Sequence, residues 1–512
     1  MKRVISLFLA LLVIISISAV GVSAETLYDV YVGDAYVTSS NANDIFGDGT
    51  VSFDADTNTL TLNNADIQAK SLDGMGTGIF AYYMDLTIEL RGENTITAEG
   101  SENDSNYGIL VSGGKLTVRS IDDGSLTINA GDAVEDVYGI YTSPGMYNEE
   151  GLLKFDNADV TVNCGDAKRS TGVYAVGPMC VSGGNLNIVT GDADESVGIY
   201  TSAHYVYDEE TFDLITMNRG HLNFTDNAKV KVVTGNATTE RYCISAYGDL
   251  TVDKADLDLT SGPCEDTSSV VLVNGFSKFI SGNVTAYSTF GEFGGSLIST
   301  IFATDYDETT GENIKYGGNI DIYDGMVMNL ESGGSGGPSV GINSANDITI
   351  HGGTVSIRLG DITGDKMRRC YGMSSSHHIF INGGTTSISV PEKVKEHDDF
   401  FPLCQWFYCV YVADNIVVTG TKAPFESGMY GCVQADPNVP VVFTDKFTSD
   451  KPLGDADKDG EVNIKDATAI QKKIAGLITF DAEQNLLADF NQDTDINIKD
   501  ATAIQKKIAG LI

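Results

Sequence analysis

The sequence predicts a mainly β chain: a right-handed parallel β-helix over residues 25–443, then a linker at 444–453 and a small all-α domain at 454–512. Two repeats predict it. Over the first 440 or so residues a glycine-apolar step returns at Gly78-Ile79, Gly108-Ile109, Gly139-Ile140, Gly172-Val173 and Gly198-Ile199, and again at Gly341-Ile342 and Gly372-Met373. Near the end, residues 463–478 and 497–512 read identically as NIKDATAIQKKIAGLI.

The first repeat has intervals of 30, 31, 33 and 26 residues, with 31 for the last pair. A period of this length built from strands marks a solenoid whose units bury their apolar faces by stacking. Leu116 and Val118 after Gly113-Gly114, Leu186 and Ile188 after Gly183-Gly184, and Val355 and Ile357 after Gly352-Gly353 alternate apolar with polar, as strands with one buried face do. Glycine suits the corners, where tight turns need positive φ. An antiparallel sandwich or a propeller is the competing architecture, but the turn signals do not fall at hairpin spacing. Residues 275–339 fit the period poorly, which predicts longer loops there.

The chain opens with Lys2 and Arg3, an apolar run from Val4 to Ile17, and Val22-Ser23-Ala24, the pattern of a signal peptide over 1–24. The run is shorter than the roughly 20 residues a spanning helix needs, so export without membrane insertion is expected. There are 32 Lys and Arg against 71 Asp and Glu, a net charge of −39. That excess disfavours nucleic acid and anionic membrane as partners, sets nucleic-acid binding aside, and favours divalent cations. The cysteines, Cys164, Cys180, Cys243, Cys264, Cys370, Cys404, Cys409 and Cys432, lack metal-ligand spacing. They read as buried thiols, with Cys404–Cys409 and Cys243–Cys264 the conceivable disulfides.

The second repeat has a period of 34 residues, and a run of oxygen side chains stands ahead of each copy. Asp455, Asp457, Asp459, Asn463 and Asp466 occupy positions 1, 3, 5, 9 and 12 of a twelve-residue EF-hand loop, with the Glu461 carbonyl for position 7. Asp489, Asn491, Asp493, Asn497 and Asp500, with the Asp495 carbonyl, repeat the set. Hard oxygens at that spacing select calcium, one ion per loop. Gly460 supplies the sharp turn at position 6, whereas Thr494 stands there in the second loop and predicts a weaker site. In the helix that follows, Ile470, Ile474 and Leu477 share i, i+4, i+7 spacing, which predicts an inward apolar face, with Gly476 at the C-cap.

A calcium loop followed by a single helix, duplicated over Gly454 to Ile512, resembles the cellulosomal dockerin family. The resemblance implies a cohesin partner on a scaffold protein and an extracellular, surface-associated complex. Carried over, the cohesin-contacting residues are Ile464, Lys465, Lys472 and Lys473, with Ile498, Lys499, Lys506 and Lys507 as their copies. Two identical faces imply two binding orientations; lysines that merely solvate a helix are the bland reading.

Secreted dockerin chains usually carry a glycan-active module, and the β region resembles carbohydrate-binding β-helix proteins related in shape to pectate lyases. That implies binding to plant cell-wall polysaccharide and a part in polysaccharide catabolism. Phe80, Tyr141, Tyr174 and Tyr200 follow the buried residue of the glycine step, so alternation turns them outward as a sugar-stacking stripe or as ladder packing. Trp406 is a cap or a platform. Asp132, Asp166, Asp192, Asn236 and Asp361 each follow a glycine; stacked roughly 4.8 Å apart they would hold further calcium, or serve as turn residues with Asx-type bonds. A polysaccharide lyase or glycoside hydrolase would draw on Arg358, Asp361, Asp365, Arg368 and Arg369, or on His397-Asp398-Asp399, and a non-catalytic adhesin or structural role is the third reading.

Overall fold

The computed structural model describes residues 25–512 except 70, 73, 101, 146–151, 213, 267, 292, 308–311, 363–369, 390–399, 414, 423–424, 434, 436–438, 446–450, 492–495 and 512. It also leaves the side chains of 71–72, 304–307, 312–313, 362, 405–408, 430, 482 and 486 undescribed. The expected signal peptide therefore lies outside the described residues. The chain divides into two compact units, Met1–Ala413 with Val418–Phe443, and Thr444–Ile512 with Asp414–Val417.

The first unit is mainly β, and most of its pairing is parallel between one repeat and the next. Strands Met75–Tyr82, Ser105–Ser112, Asp136–Ser143, Ala167–Val176, Ala193–Ser202 and Ala237–Ala246 form one such series. The same column continues to Phe400–Val412. The register places like residues on like: Ile79, Ile109, Ile140, Val173, Ile199 and Ile244 form one buried ladder. Each such side chain removed from water contributes about 1.5–3 kcal/mol, which is why the repeat persists.

The glycine before each ladder residue answers to space. A Cβ on Gly78, Gly108, Gly139, Gly172 or Gly198 would lie 2.0–2.2 Å from a branched side chain, Ile96, Ile128, Val162, Ile188 or Val232 respectively. Those residues belong to the third strand of each repeat, so a β-branched side chain fills the volume that a first-strand Cβ would need.

The sheet is mixed, not uniformly parallel as expected. Antiparallel pairs join Leu27–Val32 to Ala35–Thr38 and to Met75–Tyr82, Val51–Asp54 to Thr59–Asn63, and Phe400–Val412 to Met429–Cys432. The expected long loops in residues 275–339 are instead strands. Gly295–Asp307 runs on past its parallel partners and pairs antiparallel with Glu312–Gly317, which breaks the sequence period without breaking the pairing. A separate hairpin, His204–Tyr207 with Leu214–Asn218, lengthens another repeat.

Neither conceivable disulfide forms. Cys404 bonds Cys432, its partner across the antiparallel pair, and Cys409, Cys243 and Cys264 are free. Sequence spacing could not find this pairing because the strand that returns antiparallel sets it. Burial pushes the thiols of Cys164, Cys243 and Cys370 up to about 12, so they act as small apolar groups. Replacing Cys404 and Cys432 together by serine should lower stability by about 2–4 kcal/mol, read by scanning calorimetry against the Cys409→Ser control.

Among the described residues the second unit holds three helices: α1 (Ile464–Ile474), α2 (Ala482–Ala488) and α3 (Ile498–Ile508). Helices α1 and α3 pack on each other. Their core is thin: Ala456, Ala467, Ile470, Ala488, Ala501 and Ile504, edged by Val462, Phe480, Phe490 and Ile496.

Candidate calcium centre and docking face

Loop one is drawn together by its own carboxylates. Gly460 N–H donates to Asp455 Oδ2 at 2.8 Å, Asp459 N–H to Asp457 Oδ1 at 3.1 Å, and Glu461 N–H to Asp459 Oδ1 at 3.0 Å. Asp466 accepts from the N–H groups of Asp457 (3.0 Å) and Asn463 (2.7 Å), clamping the loop onto the first turn of α1. Asn463 caps that helix and forms a capping box with Asp466. Gly460 has φ +93° at the tight turn, where a side chain would be strained.

The donor set fits a hard divalent cation. Carboxylate oxygens of Asp455, Asp457 and Asp459 lie within 4.8 Å of one another. Asp455 is fully buried, and its Oδ1 has no hydrogen-bond partner among the described residues. A buried anionic oxygen without a partner is costly, and a calcium ion bound between the three acids would satisfy it. Burial pushes the Asp466 carboxyl up, Asp457 and Asp455 push the same way, and the two N–H donors oppose them. Proton or cation must relieve this crowding.

Loop two repeats the frame where it is described. Asp500 is buried and accepts from Asn491 N–H (3.1 Å) and Asn497 N–H (2.9 Å), and Asn497 caps α3 in the same capping box. Asp493, Thr494 and Asp495 lie outside the described residues.

A model of the dockerin type I domain matches residues 453–509. The C-terminal segment is a dockerin type I domain. Such domains bind calcium, and a dockerin implies a cohesin partner and an extracellular, cellulosome-associated protein. No curated protein and no solved structure matches the chain significantly. No helix among the described residues is long and apolar enough to cross a membrane.

The residues expected to face the cohesin differ in their surroundings. Ile464 and Ile498 are both 57% exposed, and Lys465, Lys472, Lys499, Lys506 and Lys507 are exposed as well. Lys465 also pairs with Asp459 at 2.9 Å. Lys473 is half-buried: it bonds Asn485 and lies 5.1 Å from the Phe480 ring centre, as Lys507 does over Phe490. The dockerin's inward face is shorter than the helical spacing suggested. Ile470 is buried, but Ile474 and Leu477 are 48% and 72% exposed, and their copies Ile508 and Leu511 are 46% and 71%. The helices meet around Ala467, Ile470, Ala501 and Ile504, and among the described residues the core does not extend to cover the helix ends. The C-cap is Ala475, and Gly476 follows with φ +69°. These exposed apolar residues are the docking candidates that sequence reasoning missed; their presence in both copies was the available signal.

On the first unit, the aspartates after glycines cap the next repeat. Asp132 Oδ1 accepts from Asp166 N–H (2.9 Å), Asp166 from Asp192 N–H (2.8 Å), and Asp192 from Asn236 N–H (2.8 Å) and Nδ2 (3.0 Å). The ladder is thus built from side-chain bonds between successive repeats, 26–44 residues apart, and not from local Asx turns. Asp361 stands apart, opposite Gly334. Phe80, Tyr141, Tyr174 and Tyr200 are half-buried, not fully outward, and Tyr141–Tyr174 and Tyr174–Tyr200 stack with ring centres 4.9 Å apart. Arg358 pairs with Glu331 at 3.6 Å. Asp365, Arg368, Arg369 and His397-Asp398-Asp399 lie outside the described residues, as does the side chain of Trp406.

Proposed function

We propose that this protein is a secreted subunit of a cellulosome-type complex that docks onto a scaffold cohesin through its calcium-loaded dockerin. Asp455, Asp457, Asp459, Asn463 and Asp466 with the Glu461 carbonyl would hold one ion, and Asp489, Asn491, Asp493, Asn497 and Asp500 with the Asp495 carbonyl a second. Calcium supplies a fixed positive charge that holds each loop against its helix; the helices themselves carry the recognition. The observation that carries this reading is the fully buried Asp455 with its unpartnered Oδ1, heading one of two oxygen-rich loops that each run into the same sixteen-residue sequence, 463–478 and 497–512.

Two equivalent faces would accept the cohesin, one around Ile464, Lys465, Lys472 and Lys473, the other around Ile498, Lys499, Lys506 and Lys507, each flanked by the apolar helix ends. Titration calorimetry with a cohesin tests this. Ile464→Asp with Lys465→Glu should weaken binding only about twofold, the statistical cost of losing one of two equivalent faces. The same changes in both copies should abolish it. A collapse from the single-copy variant would refute the dual mode.

The first unit is then the cargo, a right-handed parallel β-helix that binds plant cell-wall polysaccharide. The aromatic column on its first strands supports this reading. Lyase or hydrolase activity is the alternative, and product release from pectin, xylan or cellulose separates the two.

A further inference from the structure

The cargo unit is asymmetric on its outside. Across successive repeats the third strands present Thr95, Thr127, Thr161, Asn187, Lys231 and Asp258, small or charged groups suited to water. The first strands present rings. In one continuous register Tyr36 lies opposite Tyr31, Tyr31 opposite Phe80, and the column runs on through Leu110 to Tyr141, Tyr174 and Tyr200. Seven strands at about 4.8 Å make a track roughly 30 Å long. Tyr107, half-buried, stands beside Tyr141 and stacks on the buried Tyr138 with ring centres 5.3 Å apart, which backs the track from beneath. Concentrated aromatic surface on one of several faces marks an interaction site.

A charged row borders the track. Asp136, Arg169, Glu195 and Glu240 face one another in register. Arg169 donates to Asp136 at 3.2 Å, to Glu195 at 2.6 Å and to the Tyr138 hydroxyl at 3.4 Å, so its charge is already answered. The row carries three acids against one base, within a chain of net charge −39.

We propose that this track binds a neutral polysaccharide chain lying along the stack, an inference that rests on the carbohydrate-binding reading of the cargo and specifies its site and ligand class. The linear shape, aromatic except at Leu110, fits a polymer better than a small molecule. The acidic border repels uronate or sulfated chains and offers hydrogen-bond acceptors to sugar hydroxyls. Because Tyr141, Tyr174 and Tyr200 stack on one another, they offer a ligand their edges and phenol hydroxyls more than their faces. Recognition therefore depends on those hydroxyls.

The test is affinity electrophoresis of the full chain in soluble xylan, soluble β-glucan and polygalacturonate, with the triple variant Tyr141→Phe, Tyr174→Phe, Tyr200→Phe. That variant keeps the stacking and removes only the hydroxyls. The expected result is retardation by a neutral polymer and not by polygalacturonate, and about tenfold weaker retardation of the variant at unchanged melting temperature. Undiminished binding by the variant would overturn the track while leaving the carbohydrate reading intact. Equal or stronger retardation by polygalacturonate would overturn the ligand class. Retardation by none of the three would overturn both the track and the carbohydrate reading, with docking to cohesin unaffected.

Discussion

Chelating calcium from the full chain should unfold residues 454–512 and abolish cohesin binding, while the β unit keeps its structure. The core of the dockerin explains the size of the effect. Four of its six central residues are alanines, Ala456, Ala467, Ala488 and Ala501, and among the described residues just Ile470, Ile504 and, beside that cluster, Leu487 bury sizeable aliphatic side chains. At about 1.5–3 kcal/mol per such side chain, that core does not offset the ordering of some 60 residues, and the segment contains no cysteine. Domains this small need a staple. A metal bound only by the folded state supplies about 4 kcal/mol at a thousandfold excess over its dissociation constant, and removal also exposes the carboxylate crowding around Asp455 and Asp466. Far-UV circular dichroism in excess chelator should lose the helical signal and recover it on adding calcium, with the β signal constant. Helical signal and cohesin affinity that survive chelation would remove the basis of the docking assignment. Asp455→Ala should reproduce the first-loop part of the loss.

Gly139→Val should destabilise the β unit by about 3 kcal/mol or more, beyond the usual cost of overpacking. The new Cβ would stand 2.0 Å from Val162 Cγ1 and 2.6 Å from the Gly172 carbonyl oxygen. Neither can yield cheaply: Val162 is fully buried in its own ladder, and the carbonyl belongs to the next strand of the parallel series. Calorimetry of the full chain should show the β-unit transition lowered by several degrees. Gly334→Ala is the matched control, because its Cβ would find only the Asp361 carbonyl oxygen at 3.5 Å, and it should be close to neutral.

The dockerin domain and its Asp-rich loop at 455–459 were legible because their chemistry is local. Five oxygen side chains within twelve positions, followed by a helix with its own capping box, need no distant partner to be recognised. The ladder of Ile79, Ile109, Ile140, Val173 and Ile199 was legible for a related reason: stacked repeats impose their period on the chain. The inward reach of α1 was misread because helical spacing says which residues share a stripe, not how far along it a neighbour extends. Packing between α1 and α3 stops short of Ile474 and Leu477 and leaves them exposed.

By itself, then, the sequence determined the dockerin domain with its Asp-rich first loop, the duplicated helices and the repeating strand columns, since all of these are set by neighbours along the chain or by exact repetition. Tertiary structure alone decided that Cys404 joins Cys432, that the aspartate ladder caps backbone N–H groups, and that Tyr107, Tyr138 and Arg169 gather beside the tyrosine column. Those outcomes depend on register between strands some 25–35 residues apart, and a one-residue change in that register would send each side chain to the opposite face.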